Sequence, residues 1–118
     1  MKSNEKEVEE LKLIYEMIGK KWNLLIIKTL FEKRRRFTEI RNEIPKLSDR
    51  VLTERLRELE IYNIVRRIVY ARIPVKVDYE LTEKGKDTAK IFFEIKIYLQ
   101  SLTHCLDNTK PILSDFKK

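Results

Sequence analysis

The chain has one cysteine, one histidine, two glycines and three prolines among its 118 residues. A single thiol excludes an intrachain disulfide framework, and one thiol with one imidazole is too small a ligand set for a metal site. So few glycines leave no phosphate-cradling loop, and no Ser/His/Asp or Cys/His pair is recognisable. The expectation is a protein that is not an enzyme and uses no cofactor and no metal. Unbroken apolar runs are no longer than four residues, as at Leu24–Ile27, far short of the roughly 20 needed to span a membrane. No positively charged start leads into an apolar stretch and a cleavage site, so no export signal is expected and cytoplasmic residence is.

What the chain does have is charge. Hydrophobic residues make up 42% of it and charged residues 38%, a balance that suits a soluble globular fold rather than disorder. At 118 residues, one domain with a real core is expected. The net charge of +7 is placed unevenly: residues 1–20 carry −1, residues 21–81 carry +6 and residues 82–118 carry +2. A basic middle segment favours a polyanionic partner, most simply nucleic acid. A solvated surface tuned for solubility is the competing explanation.

Residues 3–18 should form a helix ended by Gly19 in a left-handed cap position. Val8, Leu11, Tyr15 and Ile18 make a heptad-like seam, while Leu13 and Met17 are apolar on another side. One stripe can serve the chain's own core and the other wants a partner. From Lys21 to Phe31 the chain is apolar nearly all round, with Trp22, Leu25, Ile26 and Leu30, and should be the central core helix. A charged connector with Arg34, Arg35 and Arg36 comes next. It lies either beside a phosphate backbone or as a solvated charge run. A helix N-terminus at Thr38 would point N–H groups in the same direction.

Residues 38–60 read as a short helix, a tight turn and a longer amphipathic helix, the layout of a helix-turn-helix. Ile40 and Ile44 share a face, and Pro45 stops the first helix. Ser48 stands at the N-cap of the second, with Leu47 and Leu52 spaced as a hydrophobic staple. Leu52, Leu56 and Leu59 form one apolar stripe, and Arg50, Glu54 and Arg57 point the opposite way with Thr53 at the flank. In a DNA reader, Ser48 to Arg57 would enter the major groove, Arg50 and Thr53 nearest the bases and Arg57 nearer a phosphate. Glu54 would accept from a cytosine amino group or fix a neighbouring arginine. Lys46 in the turn joins Arg35, Arg36 and Thr38 as a phosphate candidate.

After Glu60 the period changes. Ile64 to Tyr70 is rich in β-formers, and Val75, Val77, Tyr79 and Leu81 alternate with Lys76, Asp78 and Glu80. Two strands over 64–81, turning near Ala71–Pro74, make the wing of a winged helix. Arg66, Arg67, Arg72 and Lys76 on it suit backbone or minor-groove contacts, unless Lys76 or Arg67 is spent on Asp78 or Glu80. Thr82 caps a last helix over 82–107. There Ile91, Phe92, Ile95, Tyr98, Leu99, Leu102, Cys105 and Leu106 spread over about 140° of the wheel, more than a single core-facing stripe needs. Phe93 and Ile97 lie outside that arc. Leu11, Tyr15, Phe92, Ile95, Leu99, Leu102 and Leu106 are therefore assigned to a homodimer interface built from the two terminal helices. Ile112, Leu113 and Phe116 lie in a tail that can dock.

The chain resembles the HxlR-type branch of the MarR-like winged-helix transcriptional regulators. The carriers are Gly19-Lys20-Lys21-Trp22 with Leu24–Ile27, then Arg36-Phe37, Glu39-Ile40, Ile44-Pro45, Ser48, Val51-Leu52, Arg55-Leu56 and Glu58-Leu59-Glu60. Ile64-Val65, Arg67, Pro74-Val75, Val77, Tyr79, Leu81-Thr82-Glu83 and Gly85 complete them. The resemblance implies a mainly α fold with a small β-hairpin wing, and a dimeric regulator binding double-stranded DNA at a roughly palindromic site. It names no small-molecule effector. Family members that sense electrophiles or oxidants usually carry a cysteine ahead of the Gly-Lys-Trp segment, and none of residues 1–18 is one. Cys105 is expected to be a small packed hydrophobe, with a bridge to its symmetry mate the alternative. A winged helix used for protein–protein assembly is the competing function, separable by the salt dependence of binding.

Overall fold

The computed structural model describes residues 2–103, so His104, Cys105, Leu106 and the tail lie outside the described residues. The order is α1 (Lys2–Ile18), α2 (Asn23–Glu32), α3 (Phe37–Glu43), α4 (Asp49–Ile61), β1 (Val65–Tyr70), β2 (Lys76–Leu81) and α5 (Glu83–Thr103). β1 and β2 pair antiparallel, with Val65 opposite Leu81 and Tyr70 opposite Lys76. The expected architecture is borne out, a mainly helical chain with a two-stranded hairpin after the helix-turn-helix.

The core is built as the periodicity implies. Ile26, Ile27 and Leu30 of α2 meet Ile40 of α3 and Leu52, Leu56 and Leu59 of α4, closed by Ile64, Val65, Leu81 and Ala89. α2 is the element the others pack around. The connector adds a feature that the sequence pattern does not announce. Arg35 N donates to Tyr79 O at 3.0 Å and Tyr79 N to Arg35 O at 2.8 Å, an isolated antiparallel bridge that seats the wing against the start of α3.

Two chain reversals set the direction of the wing. Ile64 N donates to Leu59 O and Asn63 N to Glu60 O, both at 2.9 Å, the paired bonds of a Schellman ending. Asn63 takes the left-handed conformation (φ 60°) that this ending requires, a state asparagine tolerates better than most residues. Where the hairpin returns to the same base, Thr82 Oγ1 accepts from Gly85 N at 3.0 Å and donates to Asn63 O at 2.6 Å. One hydroxyl thus caps α5 and ties it to the end of α4. Gly85 is buried, and a Cβ there would collide with Ile64 O.

Gly19 corrects an expectation. No glycine has a positive φ among the described residues, so Gly19 is not a left-handed cap. Its N–H donates to Tyr15 O at 2.6 Å, and a Cβ would stand 2.6 Å from that oxygen. Close approach, not handedness, excludes a side chain there.

The terminal helices differ from the centre. On α1, Val8, Leu11, Leu13 and Tyr15 are all exposed, and Met17 packs against the core. On α5, the core-facing line runs through Gly85, Ala89, Phe92 and Phe93, with Phe93 edge-on to Phe31 at 5.1 Å. Phe93 therefore lies on the core side, although it falls outside the wide apolar arc. Most of that arc is turned away, with Ile91, Ile95, Tyr98, Leu99 and Leu102 exposed, but Phe92, assigned to the dimer interface, packs against the core instead. An apolar groove of about 140 Å³ between α2 and α5 is lined by Leu24, Leu25, Phe92, Phe93, Ile95 and Leu99, with Lys28 and Lys96.

Candidate nucleic-acid interface

α3 and α4 are held as a unit by their buried faces and by the turn between them. Ser48 Oγ accepts from Val51 N at 3.2 Å, the expected N-cap, and Leu47 and Leu52 are both buried beside it. Arg41 Nη1 lies 3.2 Å from both carboxylate oxygens of Asp49, tying α3 to the first residue of α4. The axis of α4 is therefore fixed relative to the body before it meets any ligand.

The outward face of α4 carries the residues expected there. Arg50, Thr53, Glu54 and Arg57 are exposed, opposite the fully buried Leu52, Leu56 and Leu59. The Arg50 side chain retains 85% of its exposure and its Nε reaches Glu54 only at 4.0 Å. Pairing that long between exposed groups leaves the guanidinium available to another acceptor. Thr53 Oγ1 donates to Asp49 O at 2.8 Å, one turn back, so its oxygen lone pairs stay usable. Arg57 has no ion pair among the described residues.

Lys46 and Thr38 are exposed, and so are Arg41 and Asn42. Arg41, Asn42, Pro45, Leu47, Ser48 and Asp49 surround an open hollow of about 320 Å³ at the start of α4. Arg41 and Asn42 were not among the expected site residues. Their signal was the i+3 and i+4 spacing from Thr38, which puts the three on one side of a helix.

The three consecutive arginines have three different fates. Arg35 is buried at 8% exposure, and its guanidinium meets Thr29 O at 3.1 Å, Glu32 at 2.9 Å and Glu43 at 3.5 Å. It is a structural tie between α2 and α3 and does not belong with the phosphate candidates. Arg36 is exposed, its backbone N–H bonded to Glu39 Oε1 at 2.9 Å. Arg34 turns to the wing, where Nη1 donates to the Tyr70 hydroxyl at 3.1 Å and Nη2 pairs with Glu80 at 3.1 Å. The Tyr70 hydroxyl first, then the Glu80 carboxylate, raise the Arg34 guanidinium above its already high ordinary value.

On the wing, Arg72 and Arg67 are exposed without an ion pair among the described residues. Lys76 is less available. It is half-buried, 3.7 Å from Asp78 Oδ2 and 4.8 Å from the Tyr70 ring centroid. Arg66, not Arg67, pairs with Glu80, at 2.9 Å, because those two residues stand opposite each other in the register. The tip residue Ile73 is 99% exposed.

Among the described residues there is no cluster of metal-binding side chains, and no helix is long and apolar enough to cross a membrane. The arrangement offers an unburied helix face framed by cations on a turn, a connector and a hairpin.

Known proteins share this design. The chain is 45% identical over 84 residues to the HTH-type transcriptional regulator YodB of Bacillus subtilis (strain 168), covering 71% of this chain and 75% of that one. It is 45% identical over 80 residues to the uncharacterised HTH-type transcriptional regulator YvaP of the same strain, covering 68% and 74%. The reduced form of YodB superposes with a TM-score of 0.70 at 43% identity, over 75% of this chain and 87% of that one. A MarR-family regulator from Enterococcus faecalis V583 superposes at 0.77, with 26% identity over 85% and 91%. The HxlR-like helix-turn-helix family model matches residues 17–105, more than half the chain. Capped recognition-type helix, bridged wing and family match lead to one conclusion: the chain belongs to the HxlR-like helix-turn-helix family and is a transcriptional regulator of helix-turn-helix type.

Proposed function

We propose that this regulator binds double-stranded DNA sequence-specifically, as a cytoplasmic homodimer built from one winged-helix domain per chain. α4 enters the major groove, with Ser48, Arg50, Thr53, Glu54 and Arg57 as the reading set. Arg50 and Thr53 lie closest to the bases because recognition helices read mostly through their N-terminal residues. Arg36, Thr38, Lys46 and Arg72 contact phosphates or the minor groove, and Lys76 contributes less because it is engaged on the wing. The homodimer forms through α1 and α5, using Leu11, Tyr15, Ile95, Leu99 and Leu102, with Leu106 as a further candidate. Phe92 supports that surface from the core side.

The observation that carries this reading is the division of α4, whose apolar stripe is fully covered while two arginines and two polar groups stand out into solvent. The exposed apolar faces of α1 and α5 support the dimer. A stable interface buries about 1,600 Å² in total, and the exposed apolar positions of two helices per protomer are the surface offered for it.

The test is the binding of purified protein to mixed genomic fragments as salt rises from about 50 to 200 mM. Contacts to several phosphates should weaken affinity steeply over that range. Binding that is absent at low salt, or insensitive to salt, removes the DNA reading in favour of a protein–protein module.

A further inference from the structure

The segment Gly19-Lys20-Lys21-Trp22 joins α1 to α2 and takes no part in the proposed reading face. Its geometry is nevertheless tightly held. Asn23 is fully buried, and its Nδ2 donates to Met17 O at 2.6 Å, gripping the last turn of α1. Gly19 folds against Tyr15 O so closely that no side chain fits. Lys20 then reaches across the molecule: its Nζ lies 2.7 Å from Glu58 Oε2 on α4, the two side chains 36% and 29% exposed. Glu58 Oε1 accepts in turn from Arg55 Nη1 at 3.2 Å. Beyond this elbow, Val8, Leu11, Leu13 and Tyr15 are exposed, so the direction in which α1 leaves the body is set at the elbow.

We infer that Lys20 and Glu58 are positioning residues that fix the angle between α1 and α4 about the buried Asn23 pivot, and thereby the half-site spacing the dimer accepts. The inference rests on the proposed dimeric DNA reader. A part-exposed ion pair adds little to stability, but its effect on geometry is amplified. An α1-sized arm is about 25 Å long, so a rotation of about 10° at the elbow moves its far end by about 4 Å. That is roughly one base-pair step of duplex. Glu58 also neighbours Arg57 in sequence, so the link ends beside the reading face.

The test uses the full chain and a DNA library holding two copies of the wild-type protein's selected half-site, separated by spacers of different length. Wild type, Lys20→Glu, Glu58→Lys and the double charge swap are compared. The expected result is one sharply preferred spacing for wild type. Each single variant should lose about tenfold of that enrichment and spread to spacers one or two base pairs away, and the swap should restore the preference. The two single variants change the net charge in opposite directions, so a purely electrostatic effect would separate them, whereas a lost elbow contact makes them alike. Single half-site affinity corrected for salt slope, dimer mass and melting midpoint should stay close to wild type. Single variants that keep the wild-type spacing at wild-type sharpness overturn the inference, as does a swap that fails to restore it. If wild type selects no DNA or sediments as a monomer, the underlying reading fails, and the inference with it.

Discussion

α4 and α5 are both amphipathic helices, yet they use their apolar residues in opposite ways. On α4 the stripe Leu52, Leu56 and Leu59 is at most 1% exposed, and the outward face is polar up to its last residue, Ile61, which is 76% exposed. On α5 the residues sunk into the core are a glycine and an alanine, joined by two half-buried phenylalanines, while Ile91, Ile95, Tyr98, Leu99 and Leu102 remain in water. α4 buries its whole apolar stripe within its own fold. α5 has a surplus facing away from its own core, and it is on this apolar surface that the proposed homodimer rests. The difference separates what holds this fold together from what the fold is built to meet.

The comparison breaks most visibly by deleting core from α4. Leu56→Ala should cost about 2–5 kcal/mol of stability in urea denaturation, while Leu102→Ala on α5 should leave the isolated protomer almost unchanged. Equal losses would mean that α5's outer face is already part of the fold. Next in size, Ile95→Glu should weaken self-association by about 2–4 kcal/mol, as removal of a central interface residue does. Sedimentation would then show monomer at micromolar concentration with the helical circular-dichroism signal intact; an unchanged mass would dismiss the α5 interface.

A smaller effect sharpens the contrast within one tripeptide. Arg35→Ala should destabilise the fold by about 1.5–3 kcal/mol, because its buried guanidinium satisfies charged and carbonyl acceptors. Arg36→Ala should shift stability by less than about 0.5 kcal/mol and lower the salt slope of DNA binding by about one. Finally, Arg50→Ala should cost about 1–3 kcal/mol on the selected site and relax one base position, while Lys46→Ala weakens all sequences alike. An equal loss for Arg50→Ala on specific and random DNA would exclude base reading by that side chain.

Much of the helix-turn-helix was legible because its signals are local. Pro45, the Ser48 cap and the Leu52-Leu56-Leu59 spacing each act within one or two turns of backbone. The wing was legible for the same reason, through strict alternation over Val75–Leu81. Partner choice among charges was not. Arg66 rather than Arg67 pairs with Glu80 because the hairpin register places it opposite, and register depends on where the turn falls.

The sequence by itself determined the elements, their order, the core face of α4 and the family. Periodicity, caps and turn residues act over a few positions and need no knowledge of the rest. Only the tertiary structure decided which apolar face of α5 meets the core, and that Arg35 lies inside while Arg34 and Arg36 lie outside. On an extended stretch neighbouring side chains point to opposite faces, so the backbone bridge from Arg35 to Tyr79 turns one arginine of three inward. That bridge joins residues 44 positions apart, and no local pattern encodes which of three identical side chains it selects.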